Sequence, residues 1–303
     1  MIAHMRTSLS CFVAALALFS IAVPWACIAA EPETLETVLA VWRKRETAAR
    51  TLKVVISKVS TLSHGTGLEG EAIGGTRQGQ LTVILDGTNF RSEEQGEFTD
   101  PGSDVPQQLL MIAANNGDRL KALTRVSVEE KVIRSSGNIH AGTNRNDMRI
   151  RSPIVLHWRA LCPVNDQIKP GELKLVSTDE KIGKVRCLLL QKPHGTRGGI
   201  ESFWVAPDQD MAILRRTTTQ PGRLTSETDV TFKFDAKLGW IPANWIRKGY
   251  KQDGSVLGTY KATVVTTEVN PDVPKETFDI LWPPGTEVYD SVARRKFYVP
   301  AKN

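Results

Sequence analysis

The 303-residue chain is long enough for one large domain or two modest ones. Its 39 basic and 33 acidic residues leave a formal charge of +6, spread along the chain. So mild an excess suits attraction to anionic lipid or envelope polymers, yet it is also an ordinary solubility charge. No basic-aromatic run accompanies it, which argues against a nucleic-acid partner.

The first thirty residues read as a secretory signal peptide. Met1–Arg6 is short and mildly basic, Cys11–Ile21 is apolar, and Ala26-Cys27-Ile28-Ala29-Ala30 follows Pro24 as a small-residue cleavage region. The apolar run is short for a membrane span. An uncleaved anchor and lipidation at Cys27 are the weaker alternatives. Cleavage after Ala30 removes Arg6 alone among the charged residues and leaves a domain of residues 31–303 at +5. The exported chain keeps Cys162 and Cys187. In an oxidising compartment a Cys162–Cys187 disulfide would close a loop of about 25 residues and add roughly 3 kcal/mol. Two buried free thiols fit the sequence equally well.

Glu31–Lys53 is the clearest helix. Leu35, Val38, Leu39 and Trp42 fall on one face, with acids in the first turn and bases later. The period then shortens to two at Lys53–Val59, as β-branched residues favour. A Gly-rich connection, His64–Gly79, leads to strands at Gln80–Leu85 and Asn89–Glu94, with Asp86-Gly87 as the turn. Gly65, Gly67 and Gly70 match G-x-G-x-x-G, but further glycines follow where a helix should open, so a dinucleotide site is rejected.

Glu97–Gln108 is a polar loop, and Leu109–Ala114 and Arg119–Val126 flank an Asn115–Asp118 turn. His140–Asn146 is polar and mobile, and Ser152–Leu161 is a short helix or a strand. From Leu173 onward the chain is strand after strand. The clearest hairpin is Gly199–Thr218, folded at Pro207–Asp210. A further strand is expected at Phe278–Trp282, stopped by Pro283-Pro284-Gly285. Many short strands behind one amphipathic helix predict an α+β fold, a curved antiparallel sheet partly covered by helices.

Chemistry is harder to find. His64, His140, His157 and His194 have no metal-ligand spacing, and H-E-x-x-H and G-x-S-x-G are missing. Asp208 and Asp210 lack the oxygen and glycine that a calcium loop needs next. No catalytic residue, metal or cofactor is assigned, and the chain is read as a non-enzyme.

The C-terminal stretch Phe278-Asp279-Ile280-Leu281-Trp282-Pro283-Pro284-Gly285-Thr286-Glu287-Val288, with Asp290, resembles the closing motif of the LolA/LolB lipoprotein-carrier superfamily and its LppX- and RseB-like relatives. The amphipathic first helix and the Asn116–Leu120 turn match that family's order. The resemblance implies a half-open β-barrel with helices covering its concave face. Inside it the protein would hold a lipid, a lipoprotein acyl chain or another apolar ligand, in the periplasm and touching membranes only transiently. Leu39, Trp42, Phe90, Trp204, Leu214 and Trp282 are the candidate lining residues. An RseB-like module docking an envelope protein is the alternative. The family's carriers place a basic residue before a proline turn where this chain has Asp86-Gly87-Thr88-Asn89-Phe90.

Overall fold

A computed structural model describes residues 33–66, 72–99, 105–142, 152–161, 168–195 and 198–300. The signal-peptide segment, Cys162 and most of the polar 140–146 stretch lie outside them. Residues 33–303 group as one unit.

The first helix, α1 (Leu35–Ala48), starts where the Thr34 hydroxyl accepts from the Thr37 amide and is shorter at both ends than the expected Glu31–Lys53, β1 having begun by Thr51. Val38, Leu39 and Trp42 form its buried stripe. After two residues the chain enters a six-strand meander. Its strands are β1 (Thr51–Thr66), β2 (Ala72–Asp86), β3 (Asn89–Phe98), β4 (Gln107–Asn115), β5 (Arg119–Val128) and β6 (Lys131–Ala141). A second, six-residue helix, α2 (Pro153–Trp158), resolves the ambiguous Ser152–Leu161 stretch in favour of helix, with Pro153 at its first turn.

A seven-strand meander follows. It comprises β7 (Lys174–Ile182), β8 (Val185–His194), β9 (Gly199–Ala206), β10 (Ala212–Gln220), β11 (Arg223–Asp235), β12 (Gly239–Tyr250) and β13 (Val256–Val269). Strand β13 pairs antiparallel with β1, so the two meanders join into one curved, unclosed sheet. Two short strands, β14 (Glu287–Asp290) and β15 (Arg295–Tyr298), extend it beyond β6. The β14–β6 pair is parallel, the exception in a sheet otherwise antiparallel.

Alternation along the strands divides the core in two. One face carries Leu52, Val54 and Ile56 of β1 with Ile154, Val155 and Trp158 of α2. It also carries Leu188, Leu190, Phe203 and Val205 against Val38, Leu39 and Trp42 of α1. The opposite face holds Cys187, Ala206, Ala212 and Leu214 in one cluster, and Ile112, Ala114, Leu123 and Ile280 in another.

Two local expectations are corrected. The strand expected at Phe278–Trp282 is instead a 3-10 turn, Lys275–Phe278, followed by non-strand chain that crosses β3–β5. Its carbonyls are taken by a side chain, with Arg91 Nη1 donating to Thr277 and Asp279, while Lys121 pairs with the Asp279 carboxylate at 2.5 Å. Pro283 and Pro284 offer no N–H for a ladder. The Gly-rich connection is also shorter than the sequence suggests, because β1 runs to Thr66 and β2 already begins at Ala72. Gly79 sits opposite Gly96 of β3, and a Cβ on Gly79 would lie 2.2 Å from the Gln95 carbonyl. These glycines serve a close strand approach rather than a loop.

The tail is anchored by the same device. A Cβ on Gly137 of β6 would lie 2.7 Å from the Trp282 ring. Gly137→Ala should therefore displace the indole and cost about 1–3 kcal/mol in urea unfolding. In a Trp282→Ala background the same change should cost less than about 0.5 kcal/mol. Equal costs in the two backgrounds would show that the ring does not depend on this glycine.

Candidate functional site

A cavity of about 1230 Å³ opens on the helix-bearing face. Its walls come from β1–β4 and β10–β13, with His194 of β8 at one side and Ser152, Pro153, Leu156 and His157 of α2 at one end. This is larger than a typical small-molecule site of about 300–1,000 Å³.

Strand register explains how the cavity is zoned. Along β1 the inward-facing series Leu52, Val54 and Ile56 is fully buried and apolar, then continues as Lys58 and Ser60. Along β13 the series runs from Val264 and Ala262 to Tyr260 and Gly258, and along β12 from Trp245 to Arg247 and Gly249. The three strands change from apolar to polar within one step of each other: Lys58 lies opposite Ala262, and Ala262 opposite Trp245, so β1 turns polar at Lys58 and β13 and β12 follow at Tyr260 and Arg247. The floor beside α2 is Leu81, Met111, Leu156, Ile213, Val230 and Trp245, and polar side chains occupy the far end.

Two buried ionic groups punctuate the polar end. Lys58 reaches Glu94 at 2.5 Å, with side chains 12% and 9% exposed. Lys58 is on β1 and Glu94 on β3. The bare Gly79 lies opposite Lys58 on the intervening β2 and leaves the path between them clear. The Lys58 ammonium also sits 5.7 Å from the Tyr260 ring centre. Burial, reinforced by the Glu94 charge, pushes the Tyr260 phenol well above its ordinary range, so it remains a neutral hydroxyl at physiological pH. Beyond Tyr260, Glu201 is only 1% exposed and is held by Arg216 and by Lys192 at 2.9 Å. A buried carboxylate with two cations is paired as burial requires.

The end wall is fixed by α1. Arg45 donates to His157 Nδ1 at 2.9 Å and to the His157 carbonyl at 2.8 Å, and also to the Asp210 carbonyl. Trp42 Nε1 donates to the Met211 carbonyl at 2.9 Å. Asp210 and Met211 both adopt positive φ, which turns the β9–β10 connection so that successive carbonyls meet the helix. Burial lowers the Arg45 guanidinium to about 10 despite the nearby Asp210, so it stays charged at neutral pH. Burial, and then the Arg45 charge, holds His157 well below its ordinary value, so the imidazole is neutral.

The sequence-derived candidates occupy other places. Leu39 and Trp42 are buried in the α1 cluster, and Phe90 in the α2 cluster, all on the helix-bearing face. Trp204 and Leu214 belong to a cluster on the opposite face, and Trp282, in the C-terminal tail, packs against β4–β6. The cavity lining is made of other residues. Cys187 is a fully buried thiol on the opposite face, pushed up by burial, and its proposed partner Cys162 is outside the described residues. The lining residues missed by sequence reasoning, Lys58, Trp245, Arg247 and Tyr260, carried a usable signal: a period-2 face whose character changes halfway along the strand.

Among the described residues no three His, Cys, Asp or Glu side chains converge in a way that could hold a metal ion, and no helix is long and apolar enough to cross a membrane.

No protein-family model and no curated protein matches the chain. Solved structures similar to it include a LolA superfamily protein from Nitrosomonas europaea, the family that the C-terminal motif resembles. That similarity is at 15% identity, covering 80% of this chain and 97% of that one, with a TM-score of 0.42. They also include a DUF1329 family protein from Desulfovibrio piger, at 12% identity, covering 81% and 95%, with a TM-score of 0.43.

The neutral His157 gives a pH signature. Unfolded, it gains a proton as pH drops through about 6.5, whereas the folded state, with its lowered affinity, does not. Stability should therefore fall as pH is lowered below about 6.5, by up to about 1.4 kcal/mol per pH unit from this residue. His157→Gln should flatten that slope in urea melts run from pH 7 down to 5. An unchanged slope would mean that His157 is not buried neutral between Arg45 and the β12 backbone.

Proposed function

We propose that this protein binds a lipid, a lipoprotein acyl chain or another apolar ligand in this cavity, without making or breaking a bond. In this reading α1 and α2 cover the concave face of a half barrel formed by residues 31–303. The chain is exported to the periplasm after loss of residues 1–30, and it meets membranes only in transit. The observation that carries the proposal is the apolar floor of Leu81, Met111, Leu156, Ile213, Val230 and Trp245 in a cavity of about 1230 Å³.

Physical magnitudes make the reading workable. Burying about eight methylenes gains roughly 6 kcal/mol at ~0.8 kcal/mol each. Association and ordering costs of several kcal/mol must be met from that sum. What is left is reversible binding, as a carrier that must also release its cargo requires. Leu39 and Trp42 contribute by holding the cover rather than by touching the ligand.

Filling the floor tests this. N-phenyl-1-naphthylamine should brighten and shift to the blue on binding the full chain. Val230→Trp, which places an indole in the cavity, should weaken that binding about tenfold or more while the protein still melts cooperatively. A wild-type protein that leaves the dye dark, or a Val230→Trp variant that binds it as tightly as wild type, would overturn the proposal.

A further inference from the structure

We infer that the ligand is an anionic amphiphile, one acyl tail bearing a carboxylate or phosphate head, and that a row of basic residues across the cavity reads the head. This rests on the ligand-binding reading above and goes beyond it by assigning the head group.

The row follows from the sheet's register. Arg77 of β2 lies opposite Ser60 of β1, and Ser60 opposite Tyr260 of β13. Tyr260 lies opposite Arg247 of β12, Arg247 opposite Thr228 of β11, and Thr228 opposite Arg216 of β10. Six adjacent strands thus place Arg77, Ser60, Tyr260, Arg247, Thr228 and Arg216 on one line, and all six line the cavity. Neighbouring strands are ~4.8 Å apart, so a basic residue recurs about every 10–15 Å along this line, with a hydroxyl on each strand between.

One step deeper along the strands the residues are Ala262, Trp245 and Val230, with Lys58. One step outward they are Gly258, Gly249, Ser226 and Thr218. Apart from the paired Lys58 and Glu94, the cavity is therefore apolar below the line, and it is basic and hydroxylated on the line as far as Phe98, which lies opposite Arg77 at its β3 end. A pocket for a purely hydrocarbon ligand has no use for this middle layer, whose guanidinium and hydroxyl donors would find no acceptor on it.

Charge counting gives the sign. Among the described residues, the charged lining is Lys58, Arg77, Arg216 and Arg247 against Glu94. Including the buried Glu201 with its second cation, Lys192, adds one charge of each sign. The net is three positive charges around a cavity with one apolar end. Guanidinium groups suit a carboxylate or phosphate because they donate in a planar fork, and the Tyr260, Ser60 and Thr228 hydroxyls supply further donors.

Three probes separate the parts of the claim, each titrated calorimetrically into the full chain. They are dodecyl phosphate, dodecyl maltoside with the same tail and a neutral head, and inorganic phosphate. Dodecyl phosphate should bind about tenfold or more tightly than dodecyl maltoside at low salt. The gap should narrow at about 0.5 M salt, where screening is strong. The Arg77→Gln/Arg247→Gln double variant alters two exposed side chains and should melt like wild type. It should remove most of the gap while leaving dodecyl maltoside affinity unchanged. Equal affinity for the two amphiphiles, or a gap that survives the double variant, would overturn the basic-row inference and leave apolar binding standing. Inorganic phosphate binding as tightly as dodecyl phosphate would also overturn it, since the tail would then contribute nothing. If neither amphiphile binds, the inference falls together with the reading it rests on.

Discussion

A part-buried guanidinium is the constraint on which this arrangement depends. Arg45 leaves α1 and ends between the ring and carbonyl of His157 on α2 and the Asp210 carbonyl in the β9–β10 turn. A charge placed there needs its hydrogen bonds made, and the fixed fork geometry of arginine dictates where those acceptors must be. One side chain therefore sets the relative position of two helices and a strand turn. It also adds to the burial that keeps His157 neutral, since a second cation beside Arg45 would be repelled. Loss of any one acceptor would leave a part-buried charge short of a partner, and the positive φ at Asp210 and Met211 accompanies the turn that presents one of them.

The sheet explains why there is a cavity at all. Among the described residues fifteen strands form one sheet whose two outermost strands, β7 and β15, are not paired with each other, and two α-helices serve its helix-bearing face. On the opposite face the C-terminal tail seals β4–β6 through Ile280 and Trp282. On the helix-bearing face α1 and α2 pack over β8–β10 and the apolar halves of β1, β12 and β13. The polar halves of those strands extend past the helices, and Lys58, Tyr260 and Arg247 occupy the space. The same two-residue alternation that builds the core thus builds the binding end, and the transition between them is set by register.

Much of this was legible in the chain. The 3.6-residue stripe Leu35, Val38, Leu39, Trp42 gave α1, and the β-branched runs gave most strands, because these signals are local. Leu39 and Trp42, candidates for the lining, sit in the packed stripe of α1, because an apolar helix face announces burial and not what it is buried against. The assignment of Phe278–Trp282 to a strand failed because propensity cannot register that Arg91 and Lys121, about 160–190 residues earlier, capture that segment's polar groups. Trp204 and Leu214 looked like lining for a related reason. An apolar strand residue reports burial but not which face it faces, and one residue's shift along a strand exchanges the faces. Lys58 and Arg247 were passed over because a basic residue in a strand reads as solvated until its cross-strand neighbours are known.

Native mass spectrometry of the full chain, purified from its host without detergent, tests the central claim most directly. The account predicts a folded protein carrying an adduct of acyl-compound mass, released on denaturation and recovered as an anion in the lipid extract. A folded protein that arrives without any adduct, and takes none up from an extract of its own host's lipids, would contradict it.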